Sequence, residues 1–158
     1  MAQVNFYFNF PGTAEAAIRF YQSVLGGDIP VIMRMKDAPP MPGYTLVEEE
    51  QEKIMHIGLQ LPNGSMFMAS DALESLGYKL EVGNNITVSL SPSSKEEADK
   101  FYSGLSEGGS KLSGMKLEFW GDYFGTFTDK FGIGWMISFN ENPGQGELFD
   151  KLETGKKS

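Results

Sequence analysis

The chain carries one hydrophobic pattern twice. In NFYFNF, Phe6, Phe8 and Phe10 alternate with polar or smaller positions, a strand signal over 4–10 that Pro11-Gly12 ends. The period then becomes helical. Ala14, Ala17, Ile18, Tyr21, Val24 and Leu25 form one stripe, with Thr13 at the N-cap position, Glu15 in the first turn and Gly26-Gly27 as the stop. Strands are predicted at 28–36, where Pro30 marks an edge, and at 53–61 and 65–71, a hairpin about Pro62-Asn63-Gly64. A connector over 73–84 leads to the same order again. Strand 85–90 precedes a capping box, Ser94-x-x-Glu97, and a helical stripe of Ala98, Phe101, Tyr102 and Leu105 that Gly108-Gly109 ends. Strands near 115–119, at 123–128 and at 132–139 complete it.

AIRFYQSVLGG and ADKFYSGLSEGG match with Ala17/Ala98, Phe20/Phe101 and Tyr21/Tyr102 each 81 positions apart. GLQLPNGSMFMAS and GTFTDKFGIGWMIS close the two halves. Such a duplication means two copies of a βαβββ unit, each too small to bury its own apolar face, with function expected in the cleft between them. Two segments stand outside the repeat. Residues 37–52 run from DAPPMPG to an acidic EEEQE; a solvated loop is the plain reading and a lid the sharper one. Residues 141–158 are a polar tail expected to fray.

Composition narrows the class without naming a function. At 158 residues the chain is expected to be one domain, with module one at about 1–72, the connector at 73–84 and module two at 85–140. With 41% hydrophobic and 22% charged residues it has the mix of a globular domain with a real core. A net charge of −8 disfavours nucleic acid or an anionic membrane as partner. The absence of Cys removes disulfides, thiolate nucleophiles and Cys metal sites. No apolar run approaches a membrane span, and MAQVNFYF has no basic n-region, so a cytoplasmic protein is expected.

The βαβββ repeat, the helices ending in FY…GG and the D-x-F-G-x-x-W run into the last strand resemble the vicinal oxygen chelate superfamily of glyoxalase I, extradiol dioxygenases and bleomycin and fosfomycin resistance proteins. Within it, YFNFPGTAEAAIRFYQSVLGG, KIMHIGLQL with MASD, GNNITVSL and FWGDYFGTFTDKFGIGWMISF are most similar to the PhnB-like branch, and these segments cover most of 5–139. The resemblance implies an α+β fold in which two βαβββ modules form a curved, mixed-sheet half-barrel with helices outside. It also implies a homodimer and a ligand cup enclosed by the sheets.

Metal-dependent members place ligands in the first and last strands of each unit. Carried over, those positions are Phe6, Met68, Thr87 and Met136, with Asn5, Asn9, Asn85, Ser70 and Ser138 as the nearest polar neighbours. This is no zinc or hard-cation set, so a metal-free cup without a cofactor is expected. Metal-assisted isomerisation, ring cleavage and epoxide opening are then not expected. No G-x-G-x-x-G or G-x-x-x-x-G-K-[ST] occurs, which argues against nucleotide and S-adenosylmethionine folds, and so against the demethylubiquinone methyltransferase label sometimes given to PhnB-like proteins.

The candidate residues are few. His56 is the sole imidazole; Met55, Ile57, Leu59 and Leu61 alternate with it and should pack on the helix, turning His56 and Gln60 to the cup or to solvent. A hydrogen-bonded structural histidine is the plainer role. Trp120, just before a Gly, and Tyr123 are expected at the pocket mouth, whereas Trp135 belongs to the core. Phe6, Phe8 and Phe10 share a face that is either cup lining, with Met66, Met68 and Met136, or plain core. Asp129 reads as a turn residue and 48–52 as a solvated face. The expected ligand contacts are therefore Phe8, His56, Trp120 and Tyr123, around a small apolar or aromatic organic molecule. An enzyme stays open beside a binding protein: a metal-independent or divalent-metal-dependent lyase, isomerase or transferase using His56.

Overall fold

A computed structural model describes residues 1–142, and the expected fraying of the tail falls almost wholly outside them. The contacts divide the chain after Val82, so most of the connector belongs with the first unit. Each unit is a βαβββ module with one helix and a four-stranded mixed sheet, the α+β class expected from the repeat.

In the first module β1 (Phe6–Phe10) leads to α1 (Ala14–Leu25), β2 (Asp28–Arg34), β3 (Ile54–Gln60) and β4 (Met66–Asp71). The sheet order is β1-β4-β3-β2, with β1 parallel to β4 and the other pairs antiparallel. In the second, β5 (Thr87–Leu90), α2 (Lys95–Leu105), β6 (Ser110–Leu117), β7 (Tyr123–Thr128) and β8 (Gly134–Phe139) repeat this as β5-β8-β7-β6. Pro30 lies on an edge strand, as its missing N–H requires. The second strand of the second module, β6, starts at Ser110, five residues before its expected start, because the polar KLSG pairs with β7 through two register shifts that hide its alternation.

The repeated Gly-Gly has a geometric cause. Gly26 caps the end of α1 and Gly108 lies in the turn that follows α2, with φ of 77° and 74°. A Cβ on the following glycine would lie 2.2 Å from the Gln60 carbonyl oxygen at Gly27 and 2.1 Å from that of Thr128 at Gly109. Those carbonyls occupy matching places at the ends of β3 and β7.

The helices start differently. Ser94 accepts the Glu97 N–H at 3.1 Å, and the Glu97 carboxylate accepts the backbone N–H of Ser93 at 2.6 Å, a capping box whose return bond falls one residue early. Thr13 makes no side-chain cap bond; Asp71 takes the Ala14 N–H instead.

One face of each sheet packs on its helix. Ala14, Ala17, Ile18 and Tyr21 of α1 are fully buried, and the Tyr21 ring meets Phe8 at 6.0 Å and Phe67 at 6.3 Å. In the second module Tyr102 of α2 packs edge-on against Phe127 at 5.3 Å, and Phe127 stacks on Trp135. Trp135 is fully buried and its Nε1 donates to Asp129 at 2.8 Å. Asp129 also accepts the N–H groups of Phe131 and Ile133, so it anchors the core as well as the turn.

Candidate functional site

Register decides which side chains face away from the helices. On β1, Phe8 and Phe10 are buried beneath α1, and Phe6 shares their face, in edge contact with Phe67 at 5.6 Å. Tyr7 and Asn9 therefore occupy the open face. The cup-side placement expected for Phe8 is corrected: strand alternation shows which residues share a face but not which face the helix covers. The same correction applies to Phe6 as a carried-over ligand position. Phe6 pairs with Phe67, whereas Met68 pairs with Tyr7.

His56 lies on the open face of β3, half-buried, with Nδ1 3.5 Å from the Tyr7 hydroxyl and the rings 5.8 Å apart. Beside this pair the Ser70 hydroxyl donates to Asn9 Oδ1 at 3.4 Å. Tyr7, His56, Asn9 and Ser70 thus form a polar row on the open side of β1, β4 and β3. Met55 leaves the apolar stripe expected for it. The β2–β3 register slips between Met33↔His56 and Arg34↔Ile54, a bulge that places Ile54 in the core at 1% exposure and turns Met55 out at 40%.

The displaced Met55 helps line a cleft of about 460 Å³ that lies wholly in the first module. Met35, Met41 and Met55 supply flexible thioether walls, Leu73, Leu76 and Tyr78 face them from the segment after β4, and Asn9 and Ser70 reach it from the polar row. Sequence reasoning missed Met35, Met41 and Tyr78, since two of them sit in segments without periodicity and Met35 forms a 3-10 turn.

In the second module Trp120 occupies the β6–β7 turn, half-buried, with its ring against Phe119 at 4.9 Å and Phe124 at 5.7 Å. Phe124 alternates with the buried Phe127, so Trp120 joins the side away from α2. Tyr123 lies on the other side. Its hydroxyl donates to Asp99 of α2 at 2.6 Å and Lys95 stands 4.8 Å over its ring, which sets it on the helix side and corrects the pocket-mouth placement expected for it. The Asp99 carboxylate beside it pushes the Tyr123 phenol up to about 12. Tyr123 lines a smaller cleft of about 290 Å³ with Lys95, Leu117 and Phe139. Of the four expected contacts, His56 and Trp120 are on open faces, in different modules, and Phe8 and Tyr123 face helices.

The fold family's metal does not fit this donor set. Matching by face and register gives Tyr7 with Met68, and Ser89 with Met136. In neither module does the pair, a phenol or a hydroxyl with a thioether, suit a hard cation or zinc. Among the described residues no three His, Cys, Asp or Glu side chains are grouped to hold an ion. Among those residues, too, no helix is long and apolar enough to cross a membrane.

The paired modules are those of the glyoxalase, bleomycin resistance and dioxygenase proteins. A domain of that description from Frankia sp. EAN1pec is 14% identical with a TM-score of 0.62, covering 94% of this chain and 98% of its own. Residues 2–138 match the family model of 3-demethylubiquinone-9 3-methyltransferase, and the chain belongs to this family, the PhnB-like branch of the vicinal oxygen chelate superfamily. Protein PA1353 from Pseudomonas aeruginosa is 31% identical with a TM-score of 0.79, covering 90% of this chain and 100% of that one. Protein YjdN of Escherichia coli K12 is 28% identical over 143 residues, 84% of this chain and 91% of its own length. A PhnB protein from Bacillus cereus is 22% identical with a TM-score of 0.71, over 87% and 99% of the two chains.

Proposed function

We propose that this chain is a small-molecule binding protein that holds an apolar or aromatic organic molecule without a metal. The observation that carries the reading is the methionine-lined cleft of the first module and its junction with the polar row. Met35, Met41, Met55 and Tyr78 suit an apolar body of variable shape, and Asn9 and Ser70 suit an oxygen on it. His56 extends the same polar row, and Trp120 is the second module's candidate contact. A second copy of the chain is the proposed protein partner: edge strand β2 leaves Val31, Ile32 and Met33 37–38% exposed. A solution mass of one 17.5 kDa chain at micromolar concentration would contradict the dimer.

The test is a fluorescence titration with 2-naphthol, an aromatic ring with one hydroxyl. Saturable binding is expected, weakened at least tenfold or so by Met55→Lys with the melting temperature unchanged, since a charge in the cleft must be desolvated. Absence of saturable binding, or equal binding by Met55→Lys, contradicts the reading.

A metal-independent enzyme is the second reading, favoured by the Tyr7 hydroxyl beside His56 Nδ1, a phenol and an imidazole placed for proton transfer. Turnover of a bound compound that His56→Ala abolishes while binding persists would establish it. The family description adds one further arm: a thermal shift with S-adenosylmethionine would favour methyl transfer.

A further inference from the structure

The cleft's two walls come from segments far apart in sequence and with little regular structure. Met41 belongs to the excursion between β2 and β3, and Leu73, Leu76 and Tyr78 to the segment after β4. A side-chain bridge joins them. The Tyr44 hydroxyl donates to Glu50 Oε2 at 2.5 Å and lies 2.7 Å from Ser75 Oγ.

Glu50 explains why the bridge matters. Its neighbours Glu48 and Glu49 are exposed, but Glu50 is only 6% exposed, contrary to the solvated face expected for 48–52. A carboxylate withdrawn from water is costly unless donors replace the water. Ser75 and Tyr44 supply those donors and hold the Glu50 carboxyl below the usual carboxylate range. Backbone bonds secure the excursion's two ends, Met35 N–H to Lys53 and Lys36 N–H to Gln51. Between those ends, Tyr44 ties the Met41 wall to the Leu73–Leu76 wall.

We propose that Tyr44, Glu50 and Ser75 form a clasp that fixes the two cleft walls together and opens to admit a ligand. They are positioning residues, acting through the walls rather than by touching the ligand. The gating half of this proposal rests on the cleft being the ligand site. The clasp itself does not.

Hydrogen exchange on the full chain, followed by stopped-flow binding of 2-naphthol, tests both halves. Tyr44→Phe should speed exchange of the amides in 41–50 by about tenfold, the scale of one charge-assisted hydrogen bond, with α1 and β4 unchanged. Glu50→Ala should behave alike, whereas Glu50→Gln, which keeps a carbonyl acceptor, should stay near the wild type. Tyr44→Phe/Ser75→Ala should add little to Tyr44→Phe, as members of one unit are not additive. In the stopped-flow arm both association and dissociation of 2-naphthol should quicken in Tyr44→Phe, leaving Kd nearly unchanged. Unchanged exchange in 41–50, or an increase spread evenly over the module, overturns the clasp. Selective exchange with slower or unaltered association overturns the gate. Selective exchange with no 2-naphthol binding by either protein supports the clasp and overturns the cleft as ligand site.

Discussion

The Asp71 carboxylate caps α1 from a separate strand, accepting the Ala14 N–H with Oδ1 at 2.9 Å. Its other oxygen accepts the Ile54 N–H at 2.8 Å. One buried side chain at the end of β4 thus fixes the first turn of α1 and the first residue of β3. Asp71→Ala leaves both donors without this acceptor and should cost about 2–3 kcal/mol in chemical denaturation. Asp71→Asn, with one acceptor oxygen, should cost less. A loss under about 0.5 kcal/mol for Asp71→Ala would show that other groups or water satisfy the helix start.

The bulge in β3 makes adjacent apolar residues unequal. Ile54→Ala should destabilise the fold by about 2–5 kcal/mol, the range for a truncated core side chain. Met55→Ala should change stability by less than about 0.5 kcal/mol, as an exposed side chain does, yet weaken cleft binding. Equal stability losses in the two variants would mean that the register slip at this point is wrong.

Much of the fold was legible in the sequence because the repeat carries its own punctuation. The helical stripes, the Gly-Gly stops and the Asn63-Gly64 and Gly132 turns recur at matching places for steric reasons. The faces of the strands were not legible. Phe6, Phe8 and Phe10 form an alternating set equally suited to helix or ligand, and the packing of Tyr21 on Phe8 and Phe67 decides between them. Met55 was misassigned because a bulge shifts alternation by one residue without any signal in the sequence. Glu50 hides inside an acidic run, and the partners that bury it lie 6 and 25 positions away.

Tyr123 offers a test by titration. Its phenol is pushed up to about 12, first by the hydrogen bond to Asp99 and then by burial. A raised folded-state pKa means that the bond stabilises the fold below the ordinary phenol range, near 10, and that this contribution is lost as pH rises from there through about 12. In spectra of ring-labelled tyrosine, the Tyr123 signal should titrate late, and Asp99→Asn should bring it back toward its ordinary range. A Tyr123 that titrates normally in the wild type would contradict the placement of its hydroxyl on α2.

The cleft of the first module is the centre of the functional account, and its methionines report on it directly. In protein labelled with 13C at the methionine methyl groups, the nine methionine signals can be followed during addition of 2-naphthol. Met35, Met41 and Met55 should shift together along one saturable curve, with Met1 still. No shifts, or shifts confined to methionines outside the cleft, would contradict it.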